Sequence, residues 1–137
     1  MKGLAAVAFL ACAIAAPAYA QSGILLRDRP DAELIESYVA FISRDDLYNS
    51  SGRPLTRPWQ VIRQDRANYH AYGIRDRGDQ GDTFFSSAVN RGELENMLAR
   101  GSISRAAAAR VMRGNVFVVV QIYGRGDIGE FVRVDVE

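Results

Sequence analysis

From Val116 onward the chain is patterned for strands. Val116 to Tyr123 is a nearly unbroken apolar run rich in β-branched residues, and Gly124 to Gly129 supplies a turn. Phe131 to Glu137 then alternates, with Val132, Val134 and Val136 on one side and Arg133, Asp135 and Glu137 on the other. A period of two belongs to a pleated strand, so a β-hairpin is expected over about 115–123 and 130–137. The unbroken run suits a central strand covered on both faces, and the alternating one suits a strand with one wet face.

A lone hairpin is marginal in water and needs further cover. Residues 31–43, DAELIESYVAFIS, place Ile35, Val39 and Phe41 among aromatic and β-branched neighbours, which predicts a strand over 34–43. The turn residues Asn49, Ser50, Ser51 and Gly52 and the prolines that follow predict a surface loop. A helix is expected next, with Pro58 in its first turn, Thr56 as a cap, Gly73 as its stop, and Val61, Ile62, Tyr69 and Tyr72 as its apolar side. A second helix is expected after Asp82 or Thr83, with Phe84, Phe85, Ala88 and Val89 inward. Asn90 followed by Glu93 reads as a capping-box variant that restarts a helix through Leu94, Met97 and Leu98 to Gly101, and Ser104 caps a last helix that ends at Gly114. Strand, three or four helices and two strands make an α+β domain, with a small antiparallel sheet and its helices on one face.

The N-terminus reads as a signal peptide over residues 1–20: Lys2, an apolar run from Leu4 to Ala16, and a small-residue cut at Ala18 and Ala20 that would expose Gln21. The run is too short and too broken by Pro17 for a permanent membrane anchor. Cys12, as a lipidation site, fits less well than the cut after Ala20. What remains, 21–137, is expected as one globular domain in the periplasm or outside the cell. The single cysteine and the only lysine, Lys2, lie within the leader. The domain therefore has no thiolate chemistry, and its arginines balance its acids, which argues against a nucleic-acid partner or an anionic lipid surface. No phosphate loop, G-x-S-x-G turn or haem motif appears, and no cofactor is expected.

His70 is the only histidine, which excludes zinc patterns that need two. On a helical projection it falls beside Arg63 and Arg66, opposite the apolar arc, and is expected to face solvent. Asp65 falls inside that arc, either as a structural anchor paired with an arginine or a tyrosine, or as a general base in a pocket. Asp76, Asp79 and Asp82 recur every third position among glycines, a weak metal candidate that lacks the alternating oxygens of a calcium loop; the alternative is a solvated turn in which Asp82 caps the next helix. Arg-Gly-Asp occurs at 77–79 and 125–127, in both cases where turn residues belong. Residues 95–114 have a helix-turn-helix look. Compartment and charge oppose a nucleic-acid role, and as an αα-hairpin they would bury Leu94, Met97, Leu98, Ile103, Val111 and Met112.

Residues 45–70, DDLYNSSGRPLTRPWQVIRQDRANYH, resemble a segment of small uncharacterised exported proteins of alphaproteobacteria. The resemblance implies a compartment and no activity. Within it Asp46, Tyr48, Asn49, Trp59, Gln64, Asp65, Arg66 and Asn68 form a dense polar and aromatic set, the candidate binding site. Three functions stay open: a non-enzymatic envelope module binding a protein or small ligand through 44–58 and the helix after it, a small hydrolase or lyase using Asp65, His70 and Asp46, and an assembly subunit exposing its hairpin edge.

Overall fold

The computed structural model describes residues 31–137; the expected signal peptide, Cys12 and the cut before Gln21 lie outside the described residues. The elements run β1 (Glu33–Ile42), a 3-10 turn (Asp45–Leu47), α1 (Pro58–Ala71), a 3-10 turn (Phe84–Ser86), α2 (Ala88–Gly92), α3 (Leu94–Arg100), β2 (Ser102–Ile103), α4 (Arg105–Arg113), β3 (Val116–Arg125) and β4 (Ile128–Val136). The fold is α+β, and among the described residues no helix is long and apolar enough to cross a membrane.

The sheet order is β1-β3-β4-β2. β3 is antiparallel to both β1 and β4, as expected of a central strand. The expected all-antiparallel sheet is corrected by β2, which pairs parallel to β4 through Ser102↔Arg133 and Ile103↔Val134. Gly101 makes this possible: a Cβ there would stand 1.7 Å from the Val132 carbonyl oxygen, so only glycine lets the chain after α3 lie against β4.

Register sets the core. Tyr38 and Val134 both sit opposite Val120, Ala40 sits opposite Val118, and Val132 opposite Ile122, so these side chains share one face. Val61, Ile62, Phe85, Leu94, Met97 and Val111 close over them in a single cluster. Each large apolar side chain removed from water in this way contributes about 1.5–3 kcal/mol. The other face carries Val39, Phe41, Phe117 and Val119, which stay half-buried, so β3 is fully covered only on its helical side. Aromatic pairs tile that second face, Phe41 with Phe117 at 4.9 Å and Tyr123 stacked on Phe131 at 5.0 Å.

Residues 82–92 correct the expectation of a helix starting at Asp82. The N–H groups of Thr83 and Phe84 donate at 2.9 Å to the carboxylate of Glu36 on β1, which leaves only a single 3-10 turn there. Ser87 then caps the short α2, where Val89 points outward at 76 % exposure. Asn90 is not a cap: it lies within α2, Glu93 precedes α3 directly, and the Asn90 Nδ2 donates to the Phe84 carbonyl at 2.9 Å. α1 begins at Pro58, with Gln60 Oε1 accepting from the N–H of Thr56 at 2.9 Å and of Arg57 at 3.1 Å in place of a Thr56 cap. Tyr72, expected inward, is exposed beyond the last turn. α3 and α4 are joined through β2; Leu94, Met97 and Val111 are buried, and Leu98, Ile103 and Met112 pack partly buried against the core.

Loop and side-chain atoms occupy the β1 edge of the sheet and reach the β4 backbone beside β2. Along β1, Gln80 donates its N–H to the Val39 carbonyl at 2.8 Å, and Gln80 Oε1 accepts from Val39 N–H at 3.0 Å. On the far side, Arg100 Nε donates to the Glu130 carbonyl at 2.7 Å, beside the short β2. Strand edges covered by loops and side chains resist pairing with other chains.

Candidate functional site

Arg66 and His70 stand one turn apart on α1 and reach the same atom. Arg66 Nη1 donates to Asp82 Oδ1 at 3.0 Å, and His70 Nε2 lies 2.8 Å from that oxygen. Asp82 Oδ2 accepts the Phe85 N–H at 2.6 Å. Arg66 Nε donates to Asp65 at 2.8 Å and its Nη1 also meets the Gln80 carbonyl at 3.0 Å. The expectation of a solvent-facing His70 beside an exposed arginine is therefore corrected. The Arg66 side chain is 0 % exposed and that of His70 only 12 %, because the 79–85 segment folds over their face of the helix.

A buried guanidinium needs more than one partner. Arg66 has two carboxylates, and its Cζ lies 4.4 Å from the Tyr38 ring centroid and 4.7 Å from that of Tyr69. Burial works against its charge, yet Asp65, Tyr38 and Asp82 hold its pKa above the ordinary value. Burial pushes the Asp65 carboxyl up to about 7, with Arg66 pulling against it, and raises the Tyr38 phenol well above its usual range. Asp65 is thus a structural anchor of a buried ion pair.

The binding set predicted over 45–70 divides. Asp46, Asn68 and Gln64 form one relay: Gln64 Nε2 donates to Asn68 Oδ1 at 2.9 Å, and Asn68 Nδ2 to Asp46 Oδ1 at 2.8 Å. Asp46 Oδ2 takes the N–H and hydroxyl of Ser43, each at 2.9 Å. Burial raises the Asp46 pKa while these bonds oppose the rise. The relay ties the end of β1 to α1. Asn49 Oδ1 accepts from Ser51 N–H at 3.0 Å and Arg53 N–H at 2.9 Å, which builds the loop itself. Tyr48 is exposed at the loop surface, and Trp59 lies half-buried beneath Arg63, whose Cζ is 4.9 Å from the indole. No hydrogen bond or ion pair joins His70 to Asp65 or Asp46.

Among the described residues no group of three or more His, Cys, Asp or Glu side chains is placed to hold a metal ion. Asp79 accepts from the N–H of Phe41 at 2.8 Å and of Asp76 at 2.7 Å, and Asp82 is buried, so the expected solvated turn is corrected to a pinned one. Of the two Arg-Gly-Asp copies, one lies in this segment and the other at the hairpin tip, where Arg125 pairs with Glu130 at 2.7 Å.

A cleft and a pocket lie open among the described residues. A cleft of about 430 Å³ runs between the start of α1 and α3–β2, walled by Pro58, Trp59, Leu98, Ala99 and Ile103, with Arg57 and Glu95 also lining it. A pocket of about 390 Å³ lies between the start of β1, the Phe84–Ser86 turn and the hairpin tip. Sequence reasoning selected Trp59 but not Leu98 and Ile103 as its cleft partners, and it missed the second pocket. The helical projection set His70 beside Arg66, but nothing in it pointed to a shared partner in Asp82. Comparison of the chain with protein-family models, with curated proteins and with solved structures finds no match in any of the three.

Proposed function

We propose that the protein is an exported, non-enzymatic binding module that takes an apolar segment of a partner protein into the cleft beside Trp59. One observation carries this reading: the only tryptophan stands half-buried in an open cleft of about 430 Å³ whose other walls are Pro58, Leu98, Ala99 and Ile103. Aromatic anchors in such clefts supply most of the energy of recognition. The Arg57 and Glu95 charges in the lining offer partners to the polar backbone of a bound segment.

Trp59 is its own reporter. Titration with short N-acetylated peptides carrying a central Leu, Phe, Lys or Glu is expected to give a saturable emission shift with Leu or Phe, lost in Leu98→Ser. Flat emission across the whole panel, with the fold intact by circular dichroism, removes this reading. Export is checked separately by fractionation and N-terminal sequencing, with Gln21 expected first.

The second reading, a small hydrolase or lyase, is favoured by the 2.8 Å pair of His70 with Asp82, since a carboxylate that orients an imidazole is one part of a general base. It requires a turnover that disappears in His70→Gln while peptide binding at Trp59 is retained.

A further inference from the structure

The second pocket, about 390 Å³, draws its walls from distant parts of the chain: Ile35 and Glu36 of β1, Thr83 and Phe84, Asn90 of α2, and Asp127 at the hairpin tip. The register of β1 slips between Leu34 and Glu36. Regular alternation would send neighbouring side chains to opposite faces, and a bulge re-aims them, so that Ile35 and Glu36 both line the same pocket.

Its charge is one-sided, with Glu36 and Asp127 the ionisable groups of the lining. The N–H groups of Thr83 and Phe84 are already taken by the Glu36 carboxylate, and Asn90 Nδ2 by the Phe84 carbonyl. What faces a ligand is negative charge, the remaining lone pairs of the Glu36 and Asp127 carboxylates, beside Asn90 Oδ1 and two neutral donors, the second Asn90 Nδ2 hydrogen and the Thr83 hydroxyl. Neither Glu36 nor Asp127 has a cationic partner among the described residues. Ile35 and Phe84 supply an apolar wall, and the volume is that of a small-molecule site. Val89 and Ile128, chain neighbours of Asn90 and Asp127, are highly exposed, at 76 % and 73 %.

From this combination we infer that the pocket binds a small organic ammonium. The charged nitrogen sits between Glu36 and Asp127, donates a further hydrogen bond to Asn90 Oδ1, and the alkyl or aryl body lies on Ile35 and Phe84. The site is separate from the Trp59 cleft and stands or falls without it.

The test is a titration of the ¹⁵N-labelled protein with hexylammonium, with hexanol and hexanoate as probes of equal length and different charge. Hexylammonium is expected to give saturable shifts at the amides of Thr83, Phe84, Asn90 and Asp127, with hexanol about tenfold weaker and hexanoate without effect. Asp127→Asn removes no hydrogen bond of the fold and is expected to weaken hexylammonium about threefold. Glu36→Gln is expected to weaken it further. Equal shifts with hexanoate, shifts confined to other regions, or an unchanged affinity in Asp127→Asn overturn the inference. Trp59 emission stays constant throughout, which keeps this result distinct from binding in the other cleft.

Discussion

The backbone N–H of Phe41 donates to Oδ1 of Asp79, 38 positions further along the chain, at 2.8 Å. With Gln80 on Val39, this puts side-chain and loop atoms where the next strand of the sheet would pair. Asp79 also holds the N–H of Asp76, so one carboxylate both shapes the loop and fastens it to the edge.

Asp79→Ala is therefore expected to free that edge. Loss of these bonds lowers stability by about 1–2 kcal/mol in urea denaturation. The uncovered Val39 and Phe41 groups are expected to produce association that grows with concentration in light scattering. A variant that stays monomeric and as stable as the parent shows that the loop does not protect the edge.

Replacing the two ends of the His70–Asp82 pair has unequal consequences. Asp82→Ala leaves the fully buried Arg66 with one carboxylate in place of two and is expected to cost about 3–5 kcal/mol. His70→Gln removes one contact of a side chain that water still reaches, and about 1 kcal/mol is expected. Comparison of denaturant midpoints checks the ranking; equal losses would mean that His70, and not Arg66, is the dependent partner.

The terminal strands were legible in sequence because valine-rich runs of period two have one stable arrangement, a sheet with a buried face. The short β2 was not, since it pairs through backbone over two residues and depends on Gly101 lacking a Cβ. The 82–90 segment misled for a related reason. Glu36, 47 positions earlier than Thr83, takes the N–H groups that a helix start would leave free, and no local pattern reports so distant an acceptor. At the site, the i, i+4 spacing of Arg66 and His70 was readable, but their burial was not, because the covering Asp82 lies outside their helix. Asp46 and Asn49 looked like binding residues because polar side chains that build a loop have the same composition as those that use one.

Asp65 gives the stability of the fold an unusual pH dependence. Burial pushes its carboxyl up to about 7 from 3.8, so between those values the folded chain holds a proton that the unfolded chain has released. The Asp65 contribution to stability therefore rises as pH falls from about 7 towards about 4, opposite in sign to that of an aspartate whose pKa is lowered on folding. Asp46, also raised, acts in the same direction. Asp65→Asn removes the titrating group, and the difference in urea midpoint between about pH 8 and about pH 5 is expected to shift towards acid destabilisation in the variant. An identical pH profile in parent and variant means that Asp65 stays ionised throughout, held by Arg66.

Gly101 and Gly92 make a matched pair for testing close approach. What demands glycine at Gly101 is space: the added methyl would meet the Val132 carbonyl oxygen at 1.7 Å, and a strand backbone cannot swing aside as a side chain can. Gly101→Ala must push Ser102 and Ile103 off β4, with a loss of about 3 kcal/mol expected from overpacking. At Gly92, within α2, a methyl meets nothing within 4 Å, and Gly92→Ala is expected to be neutral or to add up to about 1 kcal/mol through helix propensity. Thermal midpoints of the two variants should thus move apart. If Gly101→Ala melts with the parent, α3 can shift away from the sheet without penalty, and the parallel β2–β4 pairing is not what fixes that end of the fold.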